Sequence, residues 1–322
     1  MWKFERVAAI NATAIALLAL PACPADAQAD YPSRKITFVV GFAPGGGIDT
    51  MARIVAQALS ERFGYQIVVE NRPGAASNIA AKAVAGAAGD GYTLLFTGNS
   101  LAINQTFYKN LTYSIDDLQA VAVAAIDSHA LAINAANPGQ TLKAFLDAKR
   151  QSFTFGYGGS SAHIISEYVL KVVAKAPAVG VPFQSGAPTV TALLGNHVDI
   201  IAGPVAAIYP QAQQGALRAL AVTGARRALA FPDVPTLSEI GFPGLEINGW
   251  VGVLAPAKTP PEICAKLNAA VNAVVGEPAI DKRLREAGYE PSTMPLAGAA
   301  GVLRASIEKW GRMIEATGIT AE

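Results

Sequence analysis

The stretch GFAPGGGIDTMAR, residues 41–53, closes an apolar β-type run and enters a helical pattern through a proline, three consecutive glycines and an aspartate. Such a turn exposes backbone N–H groups in front of a helix dipole, and that combination attracts anions. Nucleotide chemistry asks for more. A P-loop ends in Gly-Lys-Ser/Thr and a dinucleotide turn reads G-x-G-x-x-G, and the glycines at 45, 46 and 47 supply neither. Asp49 stands where an N-cap would bond the first-turn amides, so a capping role is expected of it rather than ligand contact. Arg53, one turn further on, reads as a solvated face.

A second turn of the same kind lies at FGYGGSSAHIISEYV, residues 155–169. Gly158 precedes two hydroxyls, Ser160 and Ser161, which either cap the following helix or donate to a bound carboxylate. A nucleophile elbow, G-x-S-x-G, is absent. His163 is close in sequence, yet spacing alone does not make it a base for either serine. Two more strand tips carry polar groups. Thr97, Asn99 and Ser100 end one run, with helix capping an equal reading for Asn99 and Ser100. Gly203 and Pro204 end another, where Asp199 reads as structural.

Catalytic inventories are thin. The three histidines, at 129, 163 and 197, lie in separate elements, and no metal-ligand spacing of His, Cys or carboxylates occurs. No cofactor, metal or catalytic residue is therefore expected. A secreted hydrolase using Ser160 or Ser161 with His163 is the alternative reading. The 25 basic and 24 acidic residues give a net charge of +1 without any basic run, which argues against a nucleic-acid partner.

Positioning these turns requires alternating elements. Short β-branched runs alternate with amphipathic helical stretches, which predicts parallel sheets with helical crossovers. The rhythm breaks at 118–134, where LQAVAVAAI and HALAIN are two extended runs with no helix between them. A second α/β set follows, and the apolar run LEINGWVGVLAP leads back. The pattern predicts two α/β lobes, the second inserted in the first: 30–128 with 252–322, and 129–251. Two crossings make a hinge, and facing lobes make a cleft.

The N-terminus reads as an export signal: Lys3 and Arg6, an apolar stretch too short to span a bilayer, then Ala27-Gln28-Ala29. Residues 1–29 are thus expected to be cleaved, leaving a soluble periplasmic protein. A lipidated Cys23 is the alternative. With Cys23 removed, Cys264 has no disulfide partner, and its place on an apolar helical stripe predicts a buried, inert thiol.

Taken in order, YPSRKITFVVGFAPGGGIDTMAR, VVENRPGA, GDGYTLLFTGN, FTFGYGGSSAH, VPFQSGAPTVTALLGNHVDI and LRALAVTGARRALAFPDVPTLSEIG resemble the Bug-type extracytoplasmic solute receptors, the substrate-binding subunits of tripartite tricarboxylate transporters. The resemblance covers the mature chain. It implies a two-lobed periplasmic-binding-protein fold of the type II kind and a small carboxylate ligand held largely by main-chain groups and water. That ligand is a di- or tricarboxylate, an amino acid or an aromatic acid. The resemblance further implies a monomer that delivers its ligand to membrane transporter subunits or to a sensor. Carried over by position, it marks Phe42, Ala43, Gly45, Gly46 and Gly47 with Asp49 as the first carboxylate turn, Gly158 to Ser161 with His163 as the second, and Thr97 to Asn99 as a polar tip. Three departures stand out: ASNIAAKAVA replaces a glycine-rich continuation after NRPGA, Gly89 replaces a proline, and Ile164-Ile165 follows His163. Ser77 and Asn78 mark an altered pocket edge.

Overall fold

The computed structural model describes residues 31–148 and 151–320; the export signal and Cys23 lie outside them. β1 (Ile36–Val40), β2 (Ile67–Asn71) and β3 (Thr93–Gly98) pair in parallel, with α1 (Gly47–Phe63) and α2 (Asn78–Ala85) as the crossovers. α3 (Ser100–Phe107) follows, and then β4 (Leu118–Asn134). The two extended runs expected here are a single strand of 17 residues. Asp127 and Ser128, between them, are not turn formers in this context, because both continue the antiparallel ladder with β9 (Asn248–Pro256). From His129 onward the same strand pairs with β7 (Ile200–Pro204) and β8 (Leu217–Val222) instead.

The second half repeats the parallel arrangement. α4 (Leu142–Ala148) leads to β5 (Phe153–Tyr157), which pairs in parallel with β6 (Ala178–Pro182) and β7. α5 (Ser160–Ser166), continued to Val173 as a π-helix, joins β5 to β6. α6 (Gly186–Leu194) follows β6, and α7 (Val205–Gln213) follows β7. α7 carries Pro210 inside it, which removes one backbone donor from its helical ladder. The sheet runs β2-β1-β3-β9-β4-β7-β5-β6, so β4 and β9 join two parallel halves through an antiparallel centre.

Apolar faces on both sides of each half-sheet are covered. α1, α8 (Pro261–Val275) and α9 (Pro278–Glu286) bury Met51, Val55, Leu59, Leu267 and Val271 against one face of the first half. Cys264 is buried there, as the apolar stripe predicted, with no disulfide partner among the described residues, and burial pushes its thiol up to about 11. The last helix, α10 (Leu296–Thr317), bridges the halves. Its Ala299 and Leu303 pack on the first, while Trp310, Met313 and Ile314 sit in the core of the second. No helix among the described residues is long and apolar enough to cross a membrane.

Candidate functional site

The carboxyl ends of the parallel strands from both halves open into one cleft of about 640 Å³, well within the range of small-ligand sites. The β1–α1 turn forms one wall. Gly45 takes φ +79°, a conformation that only glycine adopts without strain. Gly47 lies so close to the Tyr289 hydroxyl that a Cβ would stand 2.4 Å from it. The first helical bond of α1 runs from Thr50 N–H to the Gly46 carbonyl at 2.8 Å, so the amides of Gly47 and Ile48 precede the ladder at the cleft surface.

Asp49 corrects the capping expectation. Gly46 is the N-cap and no side chain caps α1. The buried Asp49 carboxylate instead accepts from Gly45 N–H (2.8 Å), Arg53 Nε (2.9 Å) and Nη2 (3.0 Å), and Asn71 Nδ2 (2.7 Å). Burial alone would raise its pKa. The Arg53, Gly45 and Asn71 hydrogen bonds overcome that and hold it down at about 2. Asp49 is thus a staple behind the turn, with its charge matched by Arg53, and it sits outside the cleft lining. Arg53 is half exposed, and its guanidinium also donates to Asn71 Oδ1 at 3.0 Å, so it belongs to this staple as well as to the solvent-facing side of α1.

Across the cleft, the β5–α5 turn is the second wall. α5's first helical bond is His163 N–H to the Gly159 carbonyl (3.1 Å), leaving the Ser160 and Ser161 amides free of helical partners. Neither hydroxyl caps the helix. Gly158 is forced: a Cβ there would meet the Ser185 carbonyl oxygen at 2.1 Å, because the β5–α5 and β6–α6 turns pack back to back. Ser161 Oγ lies 3.3 Å from Nε2 of His129, which rises from β4. His129 is fully buried, and burial pushes its pKa down to about 4, so it is neutral.

His163 takes another course. Its ring stacks on Tyr157 (centroids 3.8 Å apart, 4° between planes), with Nε2 3.7 Å from the Glu167 carboxylate. It hydrogen-bonds neither serine among the described contacts and does not line the cleft, which removes the pairing that the hydrolase reading required. Of the residues expected from sequence, Phe42, Gly46, Gly47, Asn99, Ser100, Gly158, Ser160, Ser161 and Pro204 meet at the cleft. Ala43 and Gly45 are exposed on the turn but outside the lining, and Asp49 and Thr97 are buried behind it; Thr97 has its hydroxyl 3.3 Å from Ser77 Oγ. Gly203 lines a small adjoining hollow. Asn99 accepts from Trp250 N–H at 3.1 Å, joining the β3 tip to β9.

Sequence reasoning missed Asp127, His129, Gln184, Ser185, Ala206 and Tyr289, all of which line the cleft. A signal existed for two of them: Asp127 and His129 are ionisable residues two apart in a strand whose other residues carry no ionisable group, hence on one face. Near residue 77 the segment that departs in sequence has an unusual backbone. Ala75, Ala76 and Ser77 all have positive φ (46°, 50° and 77°), and Ala76 reaches the cleft. Among the described residues no group of His, Cys, Asp and Glu is arranged to hold a metal ion.

Residues 51–319 match the family described as tripartite tricarboxylate transporter family receptor. The chain belongs to this family. BugT of Bordetella pertussis is 31% identical over 296 residues, 89% of this chain and 90% of BugT. A UPF0065-group protein of Bordetella bronchiseptica is 35% identical over 308 residues, 94% of this chain and 91% of its own. Among solved structures, an R. palustris protein with adipate superimposes with a TM-score of 0.81 at 32% identity, over 90% of this chain and 99% of that one. MatC of Rhodopseudomonas palustris, with bound malate, gives 0.76 at 28%, over 88% and 100%. The fold of this tricarboxylate-transporter-type receptor is therefore the two-lobed periplasmic-binding-protein fold, as the resemblance implied.

Proposed function

We propose that the protein is a periplasmic receptor that captures a small carboxylate-bearing metabolite by closing its two lobes and performs no chemistry on it. One observation carries the reading: two helix N-termini, each fronted by a glycine turn with unladdered amides, face a single cleft from opposite sides. Between them they supply neutral donors and the positive ends of two dipoles, enough to hold a carboxylate without an arginine. The family's receptors and the adipate and malate found in two similar proteins support the class of ligand. Residues 30–128 with 252–322 form one lobe in this reading and 129–251 the other. β4 and β9 are the crossings about which closure occurs. Export through the N-terminal signal, a monomeric state and delivery to transporter subunits or a sensor complete the proposal.

Thermal-shift and calorimetric screening of ligand-stripped protein against di- and tricarboxylates, amino acids and aromatic acids tests it. A stabilising ligand from these classes, recovered unchanged after incubation, is the expected result. Absence of any shift across all classes, or turnover of the ligand, overturns it.

A further inference from the structure

The alternation of β4 aims Asp127 and His129 into the cleft and turns Ile126 and Ser128 to the opposite side, where they line a separate hollow with Gly224 and Asn248. Asp127 is the carboxylate of that cleft wall, and among the described residues it has no hydrogen-bond or ion-pair partner. Its Oδ1 is sealed from solvent and accepts no hydrogen bond among the described residues, while the residue as a whole remains partly open to the cleft.

Among the described residues, none around Asp127 supplies a positive charge. The residues lining the cleft include no lysine or arginine, and its other titratable groups are neutral. Burial holds His129 unprotonated, and burial together with the Asp127 charge raises the Tyr289 phenol. On the strand packed beside β4, Glu290 is already paired with Arg226 at 3.2 Å, and Asp49 is already paired with Arg53. Burial pushes the Asp127 carboxyl up to about 7. An unpaired carboxylate in such a place is resolved either by a proton or by a cation that arrives with the ligand.

The glycine turns already account for the ligand's carboxylate, on the receptor reading proposed above. A second ligand carboxylate placed against Asp127 would set two like charges side by side, with no basic side chain in the lining to separate them. An ammonium group would instead supply the counter-charge that Asp127 lacks. We propose that Asp127 receives the ammonium of an amino-carboxylate zwitterion, making this receptor selective for amino acids over the amine-free acids of the same shape.

The test uses matched pairs differing only in the amine: glutamate and glutarate, leucine and 4-methylpentanoate, 4-aminobutanoate and butanoate. Calorimetry on the ligand-stripped mature protein is expected to show, in at least one pair, the amino member binding about 10-fold or more tightly, the effect of one charge-assisted hydrogen bond. Asp127→Asn should erase that preference while leaving the amine-free acid bound as well or better. Proton linkage in the unmodified protein gives a readout that needs no variant. At pH 6.5, in buffers of different ionisation enthalpy, an ammonium ligand should drive a proton off Asp127, whereas an amine-free acid should draw one on. Equal or tighter binding of the amine-free member in every pair that binds overturns the assignment, as does a preference that survives Asp127→Asn, or proton uptake with the amino ligand. Binding of amine-free acids alone overturns only the role of Asp127. No binding by any member of any pair overturns the carboxylate-receptor reading with it.

Discussion

Replacing Asp49 by Asn tests whether the first glycine turn is held by a charge. The side chain keeps its shape and one acceptor for Gly45 N–H, but the carboxylate that Arg53 and Asn71 grip is gone. A carboxyl with an ordinary pKa of 3.8 that sits at about 2 when folded contributes about 2 kcal/mol at neutral pH. Arg53 is half exposed and screened by solvent, so about 1–2 kcal/mol is the realistic loss. The sign follows from proton binding. Between pH 3.8 and 2 the unfolded chain holds a proton on Asp49 that the folded chain does not, so this stability is complete above pH 4 and is lost as pH falls through 2. Urea unfolding of both proteins at pH 7 and pH 3 is the assay. The variant should be less stable by about 1–2 kcal/mol at pH 7, and the gap should shrink by about half at pH 3. Equal stabilities at pH 7, or a gap that does not change with pH, would refute a charge-held staple.

Two further substitutions probe the backbone of the cleft walls. Gly158→Ala places a Cβ 2.1 Å from the Ser185 carbonyl oxygen, and backbone cannot rotate aside. The two turns must separate, so a loss of about 3 kcal/mol in thermal unfolding is expected, together with loss of ligand-induced stabilisation; a variant with unchanged melting would show that the turns are not packed as described. Ala76→Gly relieves a φ of +50° that costs an alanine about 1–2 kcal/mol, against about 0.4–1 kcal/mol of added unfolded-state entropy. A net gain of about 0.5–1 kcal/mol in the urea midpoint is expected, and a destabilised variant would contradict that conformation.

The elements most legible in the sequence were those whose information is contiguous. A β-branched run, a glycine turn and an amphipathic stretch lie within some twenty residues of one another at the β1–α1 and β5–α5 units, so Phe42, Gly46, Gly47, Gly158, Ser160 and Ser161 could be placed at a common kind of site. Asp49 was misread for a local reason. The helix begins at Gly47 rather than after the aspartate, which turns the carboxylate away from the first-turn amides and towards Gly45, Arg53 and Asn71. His163 was misread for a tertiary one, since the ring of Tyr157 offers it a stacking partner that no spacing rule reveals.

By itself, the sequence determined the alternating α/β character and the two glycine turns, because each depends on neighbours along the chain. The tertiary structure decided what lies between the turns. β4 runs unbroken through both half-sheets and carries Asp127 and His129 to the cleft, and Tyr289 arrives from beyond α9. These residues are remote in the chain and come together only because one strand order places them there. The burial that leaves Asp127 unpaired and His129 neutral comes from packing, which pattern and spacing along the chain do not encode.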